Sequence, residues 1–426
     1  MKIIKLREGK ERSLLRRHPW VFQGSIEKGK GDSGETVRVE SHDGTFLAWG
    51  AYSPESQIRV RAWSFQASER IDEAFFERRL ETAIDLRARM AVASDGVRLV
   101  HGEADGLPGL VVDQYGDILS VQFLSSGAER WKTTIADNLL RLTGCTRLYE
   151  RSDASVRALE GLPSIRAWMR GGSDNPADSI VTIHENGWKL RVDVADGHKT
   201  GYYLDQRENR ARFAQLVKQY GCKSVLNCFS YTGGFSVAAL AGGANRVISV
   251  DSSAPALALA TEHVKLNGFN PKHHEVRDAD VNALLRELLK TDERFDAIVL
   301  DPPKFAPTAA HADKASRAYK DINRLALKLL KPGGLLLTFS CSGGISADLF
   351  HKIVAGAAMD AEVDGALLQR LEGAPDHPTT LFFPEGEYLK GLAILKSADC
   401  VLSSCAKSQD PRLRTGWIPR LRMERR

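Results

Sequence analysis

The stretch Ser224–Phe235, SVLNCFSYTGGF, places a pair of glycines directly after a short apolar run. The run has the length and composition of a buried strand, and Gly233 and Gly234 allow the backbone to approach a bulky ligand where a helix begins. Four similar runs follow it, separated by helical stretches: RVISVD at 246–251, HHEVRDAD at 273–280, FDAIVLDPP at 295–303 and GGLLLTFSCS at 333–342. This alternation predicts a doubly wound parallel α/β sheet over residues 186–396.

The preceding half of the chain has two other patterns. Residues 1–68 alternate short Val/Ile/Phe-rich runs with glycine turns, which predicts a small β-barrel. Residues 69–185 open with a charged amphipathic helix at 71–90 and continue in a strand-strand-helix-strand order, which predicts an α+β linking domain. Residues 397–426 form a basic tail with few apolar positions, and we expect it to be poorly ordered.

Composition narrows the class of protein. The 43% hydrophobic and 27% charged residues are typical of a soluble globular chain, and no apolar run approaches the roughly 20 residues of a membrane span. The charged N-terminus lacks a secretory signal, so we expect a cytoplasmic protein with no membrane partner. None of the six cysteines has zinc-site spacing, and we expect no metal. Much of the net charge of +5 comes from the tail, so it carries no argument for nucleic-acid binding.

The residues that end the second and third strands favour an adenosine-containing cofactor. In a doubly wound sheet, ligands bind beyond the carboxyl ends of the strands. Asp251 ends the second strand, where a carboxylate can accept both ribose hydroxyls, and Asp278 ends the third, where it can accept from an adenine amino group. The glycine loop lacks GxGxxG spacing, which disfavours nicotinamide cofactors. The alternative is a plain tight turn, with Asp251 capping the next helix.

The fourth and fifth strand ends carry the candidate chemistry. Asp301 is followed by Pro302 and Pro303, a rigid ledge on which a flipped base can stack. Cys341 follows the fifth strand between two serines, at the same predicted edge. A thiolate there is a strong nucleophile, and we interpret Cys341 as catalytic. The alternatives are an ordinary strand-ending turn and a buried structural cysteine.

Taken together, these motifs resemble a known family. LNCFSYTGGF, VISVD, RDADV, LDPPKF and LLTFSCS, with GHKTGYYLDQRENR at 197–210, resemble the bacterial 23S rRNA 5-methylcytosine methyltransferases of the RlmI type. Residues 17–22 resemble the opening of that family's N-terminal PUA domain, an RNA-binding barrel, and residues 383–391 resemble its last sheet hairpin. The resemblance implies a Rossmann-like methyltransferase domain preceded by a PUA barrel and a linking domain.

The resemblance also implies S-adenosyl-L-methionine as methyl donor and a cytidine of large-subunit ribosomal RNA as substrate. The implied cofactor-binding residues are Gln206, Arg207, Phe229, Tyr231, Thr232, Gly233, Gly234, Asp251, Asp278 and Asp301. Gln206 and Arg207 are expected to reach the methionine carboxylate, for which a guanidinium fork is suited. Asp301 and Cys341 carry over as catalytic residues. The expected RNA-binding residues are Arg17, Trp20, Lys304 and Phe305.

The implied reaction is methylation of cytidine carbon 5 through a covalent adduct of Cys341, with Asp301 at ring nitrogen 3. Related enzymes with two cysteines place the second in the Asp-Pro-Pro region, where this chain has Lys304, so the base that removes the carbon 5 proton is unassigned. The alternatives are a 5-methyluridine enzyme, a guanine amino-group RNA methyltransferase and a non-catalytic ribosome-assembly factor that binds RNA. A homodimer is also compatible with the sequence.

Overall fold

The computed structural model describes residues 2–306 and 312–398. The N-terminal region is a six-stranded sheet in the order β2-β6-β5-β4-β1-β3, antiparallel except where β1 pairs with β4. Alternate residues such as Ile4, Val37, Val39 and Val60 face its core. The elements are β1 (Ile3–Leu6), α1 (Arg12–Leu15), β2 (Trp20–Phe22), β3 (Ile26–Lys28), β4 (Thr36–Glu40), β5 (Phe46–Tyr52) and β6 (Ile58–Ser64).

The linking region contains a five-stranded sheet in the order β11-β10-β9-β8-β7. Its elements are α2 (Glu73–Arg89), β7 (Gly96–His101), β8 (Leu110–Tyr115), β9 (Ile118–Phe123), α3 (Ser126–Arg130), α4 (Lys132–Thr143), β10 (Arg147–Ser152), α5 (Val156–Leu159) and β11 (Ile165–Arg170). The predicted strand-strand-helix-strand order is incomplete. Gly116, with a φ of 58°, turns one predicted run into the hairpin β8–β9, and β11 adds an edge strand.

The first two regions share a core. Trp63 of β6 packs against Phe75 and Phe76 of α2, with ring centroids 6.5 and 5.3 Å apart. Arg61 of β6 also donates to the buried carboxylate of Glu160, at 2.7 Å. Because these contacts are desolvated, the N-terminal sheet is held rigidly against the linking region rather than attached as a separate module.

The third region begins with a hairpin of β12 (Ile180–Glu185) and β13 (Trp188–Asp193), so the domain boundary expected after residue 185 falls in its turn. The elements that follow are α6 (Arg207–Gln219), β14 (Ser224–Cys228), α7 (Gly234–Ala241), β15 (Arg246–Asp251), α8 (Ala254–Leu266), β16 (His274–Asp278), α9 (Val281–Leu288), β17 (Phe295–Leu300), α10 (Ala312–Leu329), β18 (Leu330–Ser340), α11 (Ala347–Ala361), β19 (Gly365–Leu371) and β20 (Lys390–Lys396).

The strands of this region form one seven-stranded sheet in the order β16-β15-β14-β17-β18-β20-β19. The first five are parallel, and β20 runs antiparallel to both of its neighbours. This confirms the predicted doubly wound sheet. The strand order reverses between β14 and β17, which opens a crevice at their carboxyl ends. No helix in the two described ranges has the length and apolar character needed to cross a membrane. The predicted poorly ordered tail lies, beyond Ala398, outside the described residues.

A buried carboxylate fastens the linking region to this sheet. Asp376, in the segment between β19 and β20, accepts from Arg207 at 2.7 Å and from the backbone N–H of Arg98 at 2.9 Å. Its own carbonyl oxygen accepts from Arg87 of α2 at 3.2 Å. Burial opposes ionisation, but the hydrogen bond from His377 and the ion pair with Arg207 hold the pKa of Asp376 well below its usual range.

Replacing this carboxylate should destabilise the protein. Asp376→Ala removes the buried partner of the Arg207 guanidinium and leaves it only the half-exposed carboxylate of Glu208, at 3.5 Å. We therefore expect the free energy of unfolding at pH 7 to fall by about 3–5 kcal/mol in urea denaturation. Because the folded-state pKa of Asp376 is lowered, its contribution is complete above the ordinary carboxyl pKa of about 3.9 and is lost as the pH falls below it.

The matched control is Asp348→Ala, which removes a carboxylate from the exposed pair with Lys352. It should leave the urea midpoint unchanged. An Asp376→Ala protein that unfolds at the same urea concentration as the wild type would contradict the anchoring role of this carboxylate.

Candidate active site

A cavity of about 240 Å³ lies at the carboxyl ends of β14, β15, β17 and β18. It is the crevice expected where the strand order reverses. Of the residues predicted to bind the cofactor or to act in catalysis, eight line it: Gln206, Phe229, Tyr231, Thr232, Gly234, Asp251, Asp301 and Cys341. The structure therefore brings both predicted catalytic side chains to the same wall as the glycine loop.

The loop between β14 and α7 has an unusual backbone. Phe229 and Tyr231 have φ values of 57° and 47°, in the left-handed region that non-glycine residues seldom adopt. Gly233, with φ 76°, caps α7, and a Cβ on Gly234 would lie 2.3 Å from the hydroxyl of Tyr202. The glycines are therefore required by conformation and by close packing. Such strained loops are typical of ligand sites.

Asp251 holds this loop in place. One carboxylate oxygen accepts from the backbone N–H of Tyr231 at 2.8 Å, and the other accepts from that of Ser253 at 3.0 Å. Each oxygen keeps a second lone pair that can accept from a ligand hydroxyl. Asp278 pairs with Asp251 across the sheet, but its side chain is exposed and does not line the cavity. The predicted contact of Asp278 with the cofactor therefore has no support in this geometry.

The expectation for Arg207 is wrong. Its guanidinium is completely buried and donates to Asp376 and to the carbonyl oxygen of Gly96, so it cannot reach a ligand in the cavity. Its neighbour Gln206 does line the cavity, and the Gln206 side-chain amide donates to Asp301 at 3.0 Å. The sequence motif predicted that the Arg207 guanidinium binds the methionine carboxylate, but in the folded protein that guanidinium donates to Asp376.

Two other cations stand in the cavity wall. Lys199 pairs with Asp205 at 2.8 Å, and its ammonium lies 4.3 Å from the ring centre of Tyr203. Arg210, one helical turn after Arg207, makes two 2.6 Å bonds to Glu185. Neither was predicted from the sequence, although both lie in the motif at 197–210. Both cations line the cavity, which Arg207 does not, although each is already paired with a carboxylate.

Asp301 and Cys341 have perturbed acidities. Burial, reinforced by the negative charge of Asp205, raises the pKa of Asp301 to about 7. Burial, reinforced by Asp301, also raises the pKa of the Cys341 thiol, while Lys199 and Lys304 oppose that rise. A carboxyl group with a pKa near 7 is present in both protonation states at neutral pH, as a general acid or base requires.

The segment after Asp301 is tied to the end of β18. The hydroxyl of Ser342 accepts from the backbone N–H groups of Phe305 and Ala306, each at 3.1 Å, and lies 2.9 Å from the hydroxyl of Tyr319. The Cys341 sulfur lies 3.9 Å from the carbonyl oxygen of Pro302. These bonds fix the proline ledge relative to the cysteine, so the two predicted catalytic positions are held in one rigid frame.

Unsatisfied polar groups indicate that this cavity holds a polar ligand. Four residues of its wall carry a buried side-chain oxygen that has no hydrogen-bond partner among the described residues: Tyr202, Asp205, Ser230 and Thr232. Buried polar groups without partners are rare in folded proteins, and a nucleoside or amino-acid ligand is rich in complementary groups. Among the described residues, no cluster of His, Cys, Asp or Glu could hold a metal ion.

The four predicted RNA-binding residues are dispersed. Lys304 is exposed beside the cavity, but the Phe305 ring packs on Tyr319 at 4.8 Å and contributes to the core, which leaves little of it for RNA. Trp20 donates to Glu103 at 2.8 Å, and its ring packs on Phe383. The side chain of Trp20 therefore contacts the linking region and the third region of the protein. The remaining predicted residue, Arg17, is exposed.

The comparisons with known proteins agree with this geometry. A family model described as S-adenosylmethionine-dependent methyltransferase matches residues 163–385, and one described as PUA-like domain matches residues 4–65. The chain belongs to this S-adenosylmethionine-dependent methyltransferase family. Its cofactor is accordingly S-adenosylmethionine, and the predicted order of an N-terminal PUA-like domain and a C-terminal Rossmann-like methyltransferase domain is confirmed.

Relatives of this methyltransferase cover nearly its whole length. The ribosomal RNA large subunit methyltransferase I of Shewanella denitrificans is 49% identical over 397 residues, which are 91% of this chain and 98% of that relative. The protein of the same name from Klebsiella pneumoniae (strain 342) is 48% identical over 392 residues, 91% of this chain and 96% of that relative. The resemblance noted from the sequence motifs is therefore confirmed at the level of the family.

Solved structures support the same fold. A Streptococcus mutans structure, assigned as a SAM-dependent methyltransferase, aligns with a TM-score of 0.79 and 22% identity, and covers 93% of this chain and 100% of its own. Another structure, assigned as a methyltransferase and complexed with SAH, aligns with a TM-score of 0.80 and 23% identity, with the same coverage. At these identities the likeness concerns the fold alone.

Removing Asp251 should weaken cofactor binding. Asp251→Ala deletes an acceptor for ligand hydroxyls and releases the backbone of Tyr231, at a cost of about 1.5–3 kcal/mol for each hydrogen bond to a charged group. Calorimetric titration with S-adenosylhomocysteine should show affinity at least about tenfold weaker. The control is Asp292→Ala, an exposed carboxylate before β17 at the opposite edge of the sheet, with unchanged affinity expected. Equal affinities for both variants would refute the role assigned to Asp251.

Proposed function

We propose that this methyltransferase acts on 23S ribosomal RNA and methylates carbon 5 of a cytidine through a covalent adduct with Cys341. The observation that carries this proposal is the shared cavity of Cys341 and Asp301, beside the glycine loop. The names of the relatives, ribosomal RNA large subunit methyltransferase I, support the RNA substrate. The PUA-like match of residues 4–65 is consistent with it.

The cavity wall divides into a cofactor part and a reaction part. Asp251 and the loop residues Tyr231 and Thr232 would hold the adenosine end of S-adenosylmethionine, and Lys199 and Arg210 would attract its carboxylate. When bound, this cofactor supplies an electrophilic methyl group. The proline ledge and Cys341 occupy the remaining wall, where a flipped pyrimidine would enter.

The protein must first make carbon 5 nucleophilic. The Cys341 thiolate adds to carbon 6 of the pyrimidine while Asp301, in its protonated form, transfers a proton to ring nitrogen 3. This forms a sulfur–carbon bond and leaves carbon 5 as an enamine carbon that can accept a methyl group. A base, which the sequence leaves unassigned, then takes the carbon 5 proton, the sulfur–carbon 6 bond breaks to release the Cys341 thiolate, and the proton on nitrogen 3 returns to Asp301. Burial favours the uncharged form of Cys341 in the free protein, so substrate binding must favour its ionisation.

The protonated form of Asp301 would favour cytidine over uridine. Nitrogen 3 of cytosine is an acceptor, which matches a carboxyl that carries a proton, whereas nitrogen 3 of uracil is a donor. A pKa raised to about 7 makes the protonated form available at neutral pH. Methylation of a guanine amino group needs no nucleophilic cysteine, so it would not explain Cys341 in the cavity. A non-catalytic RNA-binding factor would need neither Cys341 nor Asp301.

The surface of the N-terminal sheet supports binding of a polyanion. An open groove of about 640 Å³ on this sheet has three charged lining residues, Arg7, Lys30 and Arg59, and all three are cations. Tyr52 lies in the same wall, with the Arg59 guanidinium 6.0 Å from its ring centre. A groove whose charged lining residues are all cations attracts the phosphate backbone, and an aromatic ring can stack with a base.

The adduct itself can be trapped. RNA that contains 5-fluorocytidine at the target lacks the proton whose loss releases the enzyme, so wild-type protein should form a covalent complex stable in denaturing gels. Cys341→Ser should fold and bind cofactor but form no complex and lose methyl transfer, because a serine hydroxyl is scarcely ionised at neutral pH.

The matched control is Cys228→Ala, which replaces a buried cysteine at the end of β14 and should keep both adduct formation and turnover. Near-normal turnover by Cys341→Ser, or an adduct that maps by peptide mass spectrometry to another residue, would contradict the covalent mechanism.

A further inference from the structure

A second groove, of about 320 Å³, lies where all three regions of the protein meet. We call it the junction groove. Its wall includes Arg17 and Phe65 from the N-terminal region, Arg79 from α2 and Phe382 from the segment between β19 and β20. None of these residues lines the catalytic cavity. The volume is sufficient for a nucleobase, and the groove exists only while the three regions keep their relative positions.

The segment that carries Phe382 is held by the N-terminal region. The ring of Phe383 packs on Trp20, with centroids 4.7 Å apart, and on His18, at 5.6 Å. His18 also lies 3.5 Å from the carboxylate of Glu385. The same segment continues to Leu389, which lines the catalytic cavity. The junction groove is therefore connected to the catalytic site by a few residues that are anchored at both ends.

The groove wall has a net positive charge, with two arginines and one carboxylate. Neither Arg17 nor Arg79 has an ion pair with any described residue; Arg17 stacks over Phe382 at 5.7 Å and Arg79 over Phe75 at 5.2 Å. The groove wall contains one carboxylate, Glu103, which already accepts from the indole N–H of Trp20. Two guanidiniums without carboxylate partners in one groove are suited to phosphate oxygens.

The groove also presents an aromatic face. Phe382 is 45% exposed, and the adjacent Leu381 is 95% exposed. An aromatic ring flanked by a guanidinium is the arrangement on which unpaired bases stack.

From this arrangement we propose that the junction groove binds an unpaired nucleotide of the substrate RNA, outside the catalytic cavity. Its base stacks on Phe382 beside Arg17, and its phosphates lie against Arg17 and Arg79. This inference rests on the proposed RNA substrate. Because the groove is built from three regions, it fixes the orientation of the RNA relative to Cys341, and it makes the linking region part of the RNA-binding surface.

The test compares two neighbouring arginines of α2. Arg79→Ala and Arg78→Ala remove the same charge from the same helix, but Arg78 is exposed, pairs with Glu69 and does not line the groove. On deproteinised 23S RNA fragments, Arg79→Ala should raise KM for RNA about five- to tenfold and reduce the salt dependence of binding by about one phosphate contact. Arg78→Ala should match the wild type, and all proteins should bind S-adenosylhomocysteine equally.

A second set of variants tests the stacking of a base on Phe382. Phe382→Ala should raise KM for RNA by at least about fivefold, whereas Phe382→Trp, which keeps an aromatic face, should restore it. Leu381→Ala removes a comparable apolar surface without an aromatic ring and should have the smaller effect. These measurements use the full chain, with its melting temperature as the check on folding.

The outcomes separate the two proposals. If wild-type protein transfers no methyl group to any form of ribosomal RNA, the proposed function fails and this inference fails with it. If the wild type methylates RNA while Arg79→Ala and Phe382→Ala keep its KM, only the junction groove proposal is overturned. It is also overturned if the variants are defective on large-subunit particles but normal on deproteinised RNA, because the groove would then contact a ribosomal protein.

Discussion

The buried carboxylate of Asp376 is the constraint on which the arrangement of the site depends. It joins α6 to the first strand of the linking sheet, and its backbone accepts from α2. An ion pair in a desolvated interior is costly to break, so the partners cannot separate without leaving a charge unpaired. The residues next to Arg207 inherit this rigidity: Gln206 contacts Asp301, and Asp205 pairs with Lys199. The catalytic cavity is therefore held in position by the buried pair of Arg207 and Asp376, neither of which lines it.

The same network sets the acidity of the reacting groups. Asp205 is kept ionised, even though burial opposes it, by Lys199 and His377, and a hydrogen bond from Tyr388 assists. That fixed negative charge adds to the effect of burial on Asp301 and raises the pKa of Asp301 to about 7. Active sites commonly contain two carboxylates whose pKa values are shifted in opposite directions, so that one stays ionised and the other carries a proton. In our proposal, Asp205 is the permanent charge and Asp301 carries the proton.

Much of this could be predicted from sequence, because strand ends in a parallel sheet meet at one edge. Alternating apolar runs predicted the five parallel strands of the sheet, and the residues at the ends of four of them gave the loop, Asp251, Asp301 and Cys341. What the sequence did not reveal depends on contacts between distant segments. The motif predicted that Arg207 binds the cofactor. Its guanidinium donates instead to Asp376, which lies 169 residues later in the chain. Trp20 looked like an RNA contact, but it packs against Phe383. The junction groove has no local signature, because its wall comes from three separate regions.

The central claim, that carbon 5 of a cytidine receives the methyl group, is tested most directly by identifying the product nucleoside. Deproteinised 23S RNA that lacks the modification would be incubated with the purified chain and isotopically labelled S-adenosylmethionine, digested to nucleosides and analysed by mass spectrometry against standards. The proposed mechanism predicts that the label appears in 5-methylcytidine and at one position of the RNA. Label in 5-methyluridine would contradict the role given to the protonated Asp301, and label in an amino-methylated guanosine would contradict the covalent chemistry of Cys341.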